Sequence, residues 1–242
     1  GNLPERLKSH PNSSKVFLEN AMHVVSPSGY LKHAFAKAEY PTITIIPNSI
    51  ELSNYPFYKR EKFQPKLLWV RSFAEIYNPM MAIKTLEALS HTYPSAELTM
   101  VGPEKDGSLS RCKGYAAQHN LNVNFTGLLS KAEWIDLSSK SDVFINTSRF
   151  DNMPVSQLEA MALGLPVVST NVGGIAYMIQ DGVTGLLVAS DRVDGMVAAI
   201  DSLIVSNKKA TSLAENARAL VQDYAWDEVR HLWSKLLDKR YI

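Results

Sequence analysis

The densest group of residues able to do chemistry lies in the run RFDNMPVSQLEAMALGLP, at 149–166. It carries two carboxylates eight positions apart, Asp151 and Glu159. Carboxylates accept hydrogen bonds from paired hydroxyls, so this pair suits a hydroxyl-rich ligand such as a sugar or a ribose. Gly164 and Pro166 are typical of a helix that ends before a new strand. The run therefore predicts a strand-to-helix junction with a ligand site at it.

The start of that helix offers a second chemical group. Pro154 suits the first helical turn, where its missing N–H costs nothing. The next residues, Val155 to Gln157, then present free N–H groups and the positive end of the helix dipole, which together bind anions such as phosphates. Two alternatives stay open from the residues alone. Asp151 or Asn152 could merely cap the helix, and Glu159 could be a solvated surface residue.

These residues are positioned by alternating elements. Short apolar runs rich in β-formers alternate with segments of helical spacing, which indicates βαβ crossovers and a parallel sheet. We predict an α/β fold with a Rossmann-like, doubly wound sheet. The predicted strands span 66–70, 97–102, 123–127, 142–148, 166–170 and 185–188, and the predicted helices span 79–90, 108–119, 131–138, 155–163, 192–206 and 208–223.

The two ends of the chain differ from this pattern. The first segment has a helical stretch to about Asn20, then strand-like runs at 22–26 and 42–47 with a helix at 31–39 between them. Two strands do not make a sheet, so they pair either with the edge of the main sheet or with strands absent from this chain. We favour the second, because 53–65 has the composition of an interdomain linker. A last helix carries an apolar stripe that we expect to pack, formed by Trp226, Val229, Trp233, Leu236 and Leu237.

Composition excludes several classes of function. The net charge of +1 comes from 25 basic and 24 acidic side chains, so no global field attracts nucleic acid or an anionic membrane. The stretch up to Lys66 carries more basic than acidic residues. These basic residues form either a functional face or an ordinary solvated surface. A single cysteine, Cys112, excludes an internal disulfide and fits a reducing compartment. No apolar run approaches ~20 residues, so we expect a cytoplasmic protein with at most peripheral contact with the inner face of the membrane.

The span from Asp151 to Glu159 resembles the E-x7-E signature of the group 1, family 4 retaining glycosyltransferases of the GT-B fold, with Asp for the first Glu. The stretches IPNSIEL at 46–52, LEAMALGLPVVST at 158–170 and VVSTNVGGIAYMIQDGVTGLLV at 167–188 resemble other parts of that family. YAWDEVRHLWSKLLDKRY, at 224–241, resembles its closing helix. By this resemblance, 1–52 is a remnant of the N-terminal acceptor domain, 53–65 a linker, 66–223 the nucleotide-sugar-binding C-terminal domain and 224–242 the crossover helix.

The resemblance implies a nucleoside-diphosphate-sugar donor, retention of anomeric configuration and no metal or other cofactor. The sequence has no D-x-D or H-E-x-x-H motif, and we interpret its six histidines as structural or surface residues. Arg71 matches the family arginine that contacts the diphosphate, and Glu159 would bind the ribose. The remaining expected contacts are Asp151, Asn152, Met153, Pro154 and Val155 to sugar and phosphate, Gly102, Gly127 and Leu128 beside the base, and Gly173 and Gly174 in a close backbone approach or a plain turn.

Two positions depart from the family pattern. Ile76 stands where a lysine commonly follows Arg71 by five residues, and Tyr177 stands where a glutamate usually follows the Gly-Gly loop. We therefore expect the donor-binding part of a glycosyltransferase, with a non-catalytic nucleotide-sugar-binding module or a GT-B-fold epimerase as alternatives. Its acceptor would be a glycan, a lipid-linked sugar or a small molecule, held by the missing acceptor domain. Gly1 resembles a cleavage scar, which favours a truncated chain.

Overall fold

The first segment of the chain forms a small unit of its own. The structure, a computed structural model, describes residues 3–40 and 43–238. The unit consists of α1 (Leu3–Ser9), α2 (Pro11–Glu19), β1 (Val25–Ser26), α3 (Gly29–Lys37) and β2 (Thr44–Ile45). Strands β1 and β2 pair with each other in parallel, separately from the main sheet. Pairing with the edge of the main sheet is therefore wrong, and residues 41 and 42 lie outside the described residues.

Six parallel strands form the main sheet, which confirms the predicted Rossmann-like fold class. Its spatial order is β5-β4-β3-β6-β7-β8. The order reverses between β3 and β6, and a crevice opens at the carboxyl ends of strands where this happens. The strands are β3 (Lys66–Val70), β4 (Glu97–Val101), β5 (Val123–Gly127), β6 (Val143–Asn146), β7 (Val167–Thr170) and β8 (Leu186–Val188).

Helices cover both faces of this sheet, with bounds within two residues of those predicted. Along β3, Leu67 and Trp69 enter the core on one face while Leu68 enters the core on the other, as the two-residue period of a strand requires. Each face therefore has its own buried core. The helices are α4 (Pro79–Ser90), α5 (Ser108–Gln118), α6 (Lys131–Ser138), α7 (Val155–Ala162), α8 (Val193–Val205), α9 (Asn207–Val221) and α10 (Trp226–Leu237).

The stretch 53–65 does not run freely between two units. It lies along the main domain and buries Tyr55 and Phe63. The Arg60 guanidinium donates hydrogen bonds to backbone carbonyls at the ends of α6 and α7, at Ser138 (2.8 Å) and Gly164 (2.9 Å). A basic side chain thus satisfies helix-terminal carbonyls that would otherwise lack donors. The assignment of this stretch as an interdomain linker stays a prediction.

The apolar stripe of α10 does not pack along its length as predicted, because Val229 is the one buried residue among the five that form it. Trp226 and Leu237 are exposed, and the other two are half-buried. At the start of the helix, backbone hydrogen bonds join Tyr224 and Trp226 to Ile50, in the stretch that follows β2. The far end of the helix borders β2 across a cavity of about 380 Å³. Among the described helices, none combines the length and apolarity needed to cross a membrane.

Candidate functional site

An ion pair joins the two strand ends at the point where the strand order reverses. Arg71 directly follows β3, and Asp151 lies in the loop after β6. The Nη2 atom of Arg71 pairs with Oδ2 of Asp151, whose side chain is nearly buried. The Arg71 guanidinium also lies over the ring of Tyr77, 4.3 Å from its centroid. Nε of Arg71 is buried and has no hydrogen-bond partner in the described part of the chain, so one N–H donor of the guanidinium lacks an acceptor.

The loop that carries Asp151 is pressed against the Gly173-Gly174 loop. A Cβ atom on Gly173 would lie 2.0 Å from the carbonyl oxygen of Asp151, and one on Gly174 would lie 2.1 Å from that of Asn152. The N–H of Gly174 donates to the Asp151 carbonyl at 2.9 Å. Gly173 and Gly174 thus make a close backbone approach, and their role as ligand-binding residues stays a prediction. The two glycines pack against the loop that carries Asp151 and Asn152. Because glycine has no side chain, the backbones of the two loops can come into direct contact.

The amino end of α7 lies beside this loop. Pro154 occupies the N-cap position instead of the first helical turn, and α7 begins at Val155 as predicted. No side chain caps the helix, so the alternative that Asp151 or Asn152 serves only as a cap is wrong. The first N–H groups, those of Val155 and Ser156, have no acceptor inside the helix. This end of α7 can receive an anion.

Ser28 of the first unit and Asn48, in the stretch that follows β2, fix the same loop from the other side. Nδ2 of Asn48 donates to the Met153 carbonyl at 2.7 Å, and the Ser28 hydroxyl donates to Oδ1 of Asn152. Met153 is itself buried in the core on that face. The predicted ligand residues Asn152 and Met153 thus also hold the two parts of the chain together. The sequence contained the I-P-N stretch but no sign of its contact.

Glu159 is buried, so the alternative of a solvated surface glutamate is wrong. Its Oε1 atom accepts a hydrogen bond from the Tyr55 hydroxyl at 2.7 Å and pairs with Nζ of Lys131. Burial raises the pKa of Tyr55, and the adjacent Glu159 carboxylate raises it further, so the phenol remains a donor. Sequence reasoning missed both partners. The signal available for Lys131 was a basic residue just beyond the Gly127-Leu128 turn, at the start of α6.

A cavity of about 250 Å³ lies at the carboxyl edge of the sheet. It brings together the predicted residues Arg71, Gly102, Leu128 and Glu159. The predicted residues Asp151, Asn152, Met153, Pro154, Val155, Gly127, Gly173 and Gly174 are not among those that line it. The remaining lining residues are Val70, Ser72, Val101, Pro103, Leu129, Lys131, Trp134 and Ser156.

The two departures from the family pattern have distinct surroundings. The Ile76 carbonyl accepts a hydrogen bond from the Arg149 N–H at 2.8 Å. The Arg149 side chain does not take over the missing charge, because it pairs with Glu75 and Asp191 and lowers the pKa of Asp191. Tyr177 faces the first unit, with its hydroxyl 3.0 Å from Nδ1 of His33.

No cluster of three or more His, Cys, Asp or Glu side chains able to hold a metal ion occurs within 3–40 and 43–238. The groups that can meet an anion in the cavity are Arg71, Lys131 and the first N–H groups of α7. The arrangement suits a ligand that carries both phosphate and hydroxyl groups.

Comparison with known proteins places the chain among sugar transferases. Residues 56–220 match the family model described as glycosyl transferases group 1. The glycogen synthase of Mycobacterium tuberculosis is 29% identical over 192 residues, which cover 77% of this chain and 46% of that protein. The chain therefore spans about half the length of this curated relative.

Two solved structures show the same GT-B fold. Sucrose-phosphate synthase from Thermosynechococcus elongatus superimposes with a TM-score of 0.83 at 22% identity, over 100% of this chain and 64% of that chain. HepE from Anabaena, in complex with UDP and glucose, superimposes with a TM-score of 0.83 at 19% identity, over 98% of this chain and 67% of that chain.

Proposed function

This chain belongs to the group 1 glycosyltransferases, and we propose that it is the donor-binding part of a retaining enzyme. That enzyme would transfer a sugar from a nucleoside-diphosphate sugar to an acceptor hydroxyl. The observation that carries the proposal is one cavity at the carboxyl edge of the sheet. There a cation, a free helix amino end and a buried carboxylate, supplied by Arg71, α7 and Glu159, lie together.

The diphosphate would lie between Arg71 and the first turn of α7. When the bond between the sugar C1 and the diphosphate oxygen breaks, negative charge grows on the leaving group. Fixed donors that already point at this charge lower the barrier, because they need no reorganisation during the reaction. The guanidinium of Arg71 offers a fork of N–H donors and has its Nε unused. We propose that these groups meet the charge without a metal ion.

The nucleoside and the sugar would occupy opposite sides of the diphosphate. Glu159 would accept hydrogen bonds from the ribose hydroxyls, with the base beside Gly102 and Leu128. The sugar would lie toward Asp151 and the backbone of Asn152, on the loop held by Gly173 and Gly174. Each group of the donor would thus meet a complementary group of the protein.

The likeness to HepE supports a nucleoside-diphosphate ligand, because that protein has been solved with UDP and with UDP-glucose. The acceptor would be a glycan, a lipid-linked sugar or a small molecule. The part of the enzyme that binds it would lie largely in an N-terminal domain, of which the first unit of this chain would be the end.

One observation favours a second candidate, a module that binds the donor without transferring its sugar. Position 76 carries an isoleucine, and the neighbouring cation Arg149 is paired with Glu75 and Asp191. One positive charge expected beside the diphosphate is therefore missing. Donor binding without release of sugar to any acceptor, by the chain joined to its acceptor domain, would favour this second candidate.

Calorimetric titration tests the donor site. The chain is titrated with UDP, GDP, ADP and their glucose conjugates, with EDTA present and at one salt concentration. We expect binding that prefers one base, and a loss of about tenfold or more in affinity in Arg71→Ala and Glu159→Ala, the size of one charged hydrogen bond. Arg230→Ala serves as the control, because Arg230 is exposed on α10. Equal affinities in all four proteins would contradict the site.

A further inference from the structure

Tyr55 reaches the cavity region from the stretch that precedes the main domain in sequence. Its ring is buried in the core that also contains Leu158 and Met161 of α7. Its carbonyl accepts a hydrogen bond from Nη1 of Arg218 at 2.9 Å. Both the backbone and the ring are therefore fixed. The hydroxyl is the part of the side chain that meets a functional group, the carboxylate of Glu159.

The two donors to Glu159 converge on one oxygen. The Tyr55 hydroxyl and the Lys131 ammonium both contact Oε1. No described residue donates to Oε2, and this atom is not among the buried polar atoms without a partner. It therefore retains contact with solvent, although the side chain as a whole is only 5% exposed. One carboxylate oxygen is used to fix the orientation of the group, and the other is left for a ligand.

Resting on the proposed function, we propose that Tyr55 is a positioning residue for ribose recognition. By fixing Oε1, its hydroxyl holds Oε2 of Glu159 ready to accept hydrogen bonds from the ribose hydroxyls. A carboxylate held in the bound orientation loses less conformational freedom when the ligand arrives, which strengthens binding. A phenylalanine at this position would keep the packing of the ring and lose the orientation of the carboxylate.

Lys131 acts on Glu159 in a different way. Its side chain is 54% exposed at the rim of the cavity, where its ammonium lies 5.8 Å from the Trp134 ring centroid. A long, half-exposed side chain fixes geometry poorly. Its main contribution is charge, because it offsets the negative Glu159 beside a negative diphosphate. Loss of Lys131 should therefore weaken the binding of every nucleoside diphosphate. Loss of the Tyr55 hydroxyl should mainly weaken the binding of those that carry a complete ribose.

The experiment compares ribose with 2′-deoxyribose ligands. Wild type, Tyr55→Phe and Tyr58→Phe are titrated with UDP, GDP and ADP and with dUDP, dGDP and dADP. Tyr58 is a matched control, because it lies in the same stretch and packs on the same core without contacting Glu159. We expect wild type and Tyr58→Phe to prefer the ribose form. In Tyr55→Phe this preference falls by about tenfold, the size of one hydrogen bond to a charged group, while the affinity for the deoxy form, which retains only the 3′-hydroxyl, falls less.

The same titrations are repeated with each protein also carrying Glu159→Gln. They distinguish an effect of Tyr55 on the Glu159 carboxylate from an effect on packing. If Tyr55 acts through the carboxylate, Tyr55→Phe has no further effect on the ribose preference there. An unchanged preference in Tyr55→Phe, or an equal fall in ribose and deoxy affinities, overturns the inference and leaves the proposed function standing. If wild type binds none of the six diphosphates, the proposed function fails and the inference fails with it.

Discussion

Arg71 and Asp151 form an ion pair across the point where the strand order of the sheet reverses. The cation expected at the diphosphate is therefore held by the carboxylate expected at the sugar. This contact sets the position of Arg71 before any ligand arrives. It also means that the loss of either partner leaves a charged group, largely shielded from water, without its counterpart.

We predict that Asp151→Asn lowers the free energy of unfolding by about 1–3 kcal/mol, because the guanidinium of Arg71 loses a charged acceptor. A bound nucleoside diphosphate supplies new acceptors, so it should raise Tm more in this variant than in wild type. Thermal unfolding with and without ligand measures both effects. Asp194→Asn is the control, since the Arg192–Asp194 pair is exposed. Equal ligand-induced shifts in Asp151→Asn and wild type would argue against phosphate at Arg71.

Gly174→Ala should displace the loop that carries Asp151 and Asn152. The new Cβ atom would lie 2.1 Å from a backbone carbonyl oxygen, so the loop must move. We expect donor affinity to fall by at least about tenfold, as for a misplaced binding group. The control is Gly114→Ala in α5, where a Cβ meets open space and helix propensity favours alanine by about 1 kcal/mol. Titration with the preferred donor measures the loss, and wild-type affinity in Gly174→Ala would contradict the arrangement.

Ile76→Lys should strengthen binding of the nucleoside diphosphate, because it restores a cation near Arg71. The expected gain is a few-fold, in line with about 0.5–1 kcal/mol for a partly exposed charge pair. Titration at low and high salt measures it, and the gain should shrink as salt screens the charge. Ile76→Met provides an uncharged control of similar size. A salt-independent gain, or none, would mean that position 76 does not face the diphosphate.

Arg60→Ala should destabilise the main domain by about 2 kcal/mol or more, because several buried carbonyls lose their donor at once. The side chain donates to carbonyls of Tyr58, Ser138, Ser141 and Gly164. Chemical denaturation measures the change, and Lys59→Ala is the control because Lys59 is exposed. Similar stability of the two variants would show that the stretch 53–65 contributes little to the fold of the main domain.

The sheet and its helices could be predicted closely from the sequence because their signals are local. The KLLWV and VNFTG runs, for example, coincide with β3 and β5 residue for residue. Burial on both faces produces continuous apolar strands, and crossover helices supply the alternation. The positions of Arg71 after β3 and Asp151 after β6 were predictable because each directly follows a strand signal or lies in the loop before a helix signal.

The contacts that complete the site could not be predicted in this way. Tyr55 lies 104 positions from Glu159, and no periodicity connects the two residues. The contact between Asn48 and Met153 is likewise tertiary. For α10, an apolar stripe indicates a face that can be buried, but it does not say whether a partner covers it. Only the placement of separate elements decides such contacts.

A crystal structure of the chain with its preferred nucleoside diphosphate would locate the donor site itself. We expect the phosphates beside Arg71 and the first N–H groups of α7, and a ribose hydroxyl within hydrogen-bond distance of Oε2 of Glu159. A ligand bound elsewhere would contradict this placement. One such place is the apolar groove of about 700 Å³ in the first unit, lined by Leu7, Leu18 and Phe35.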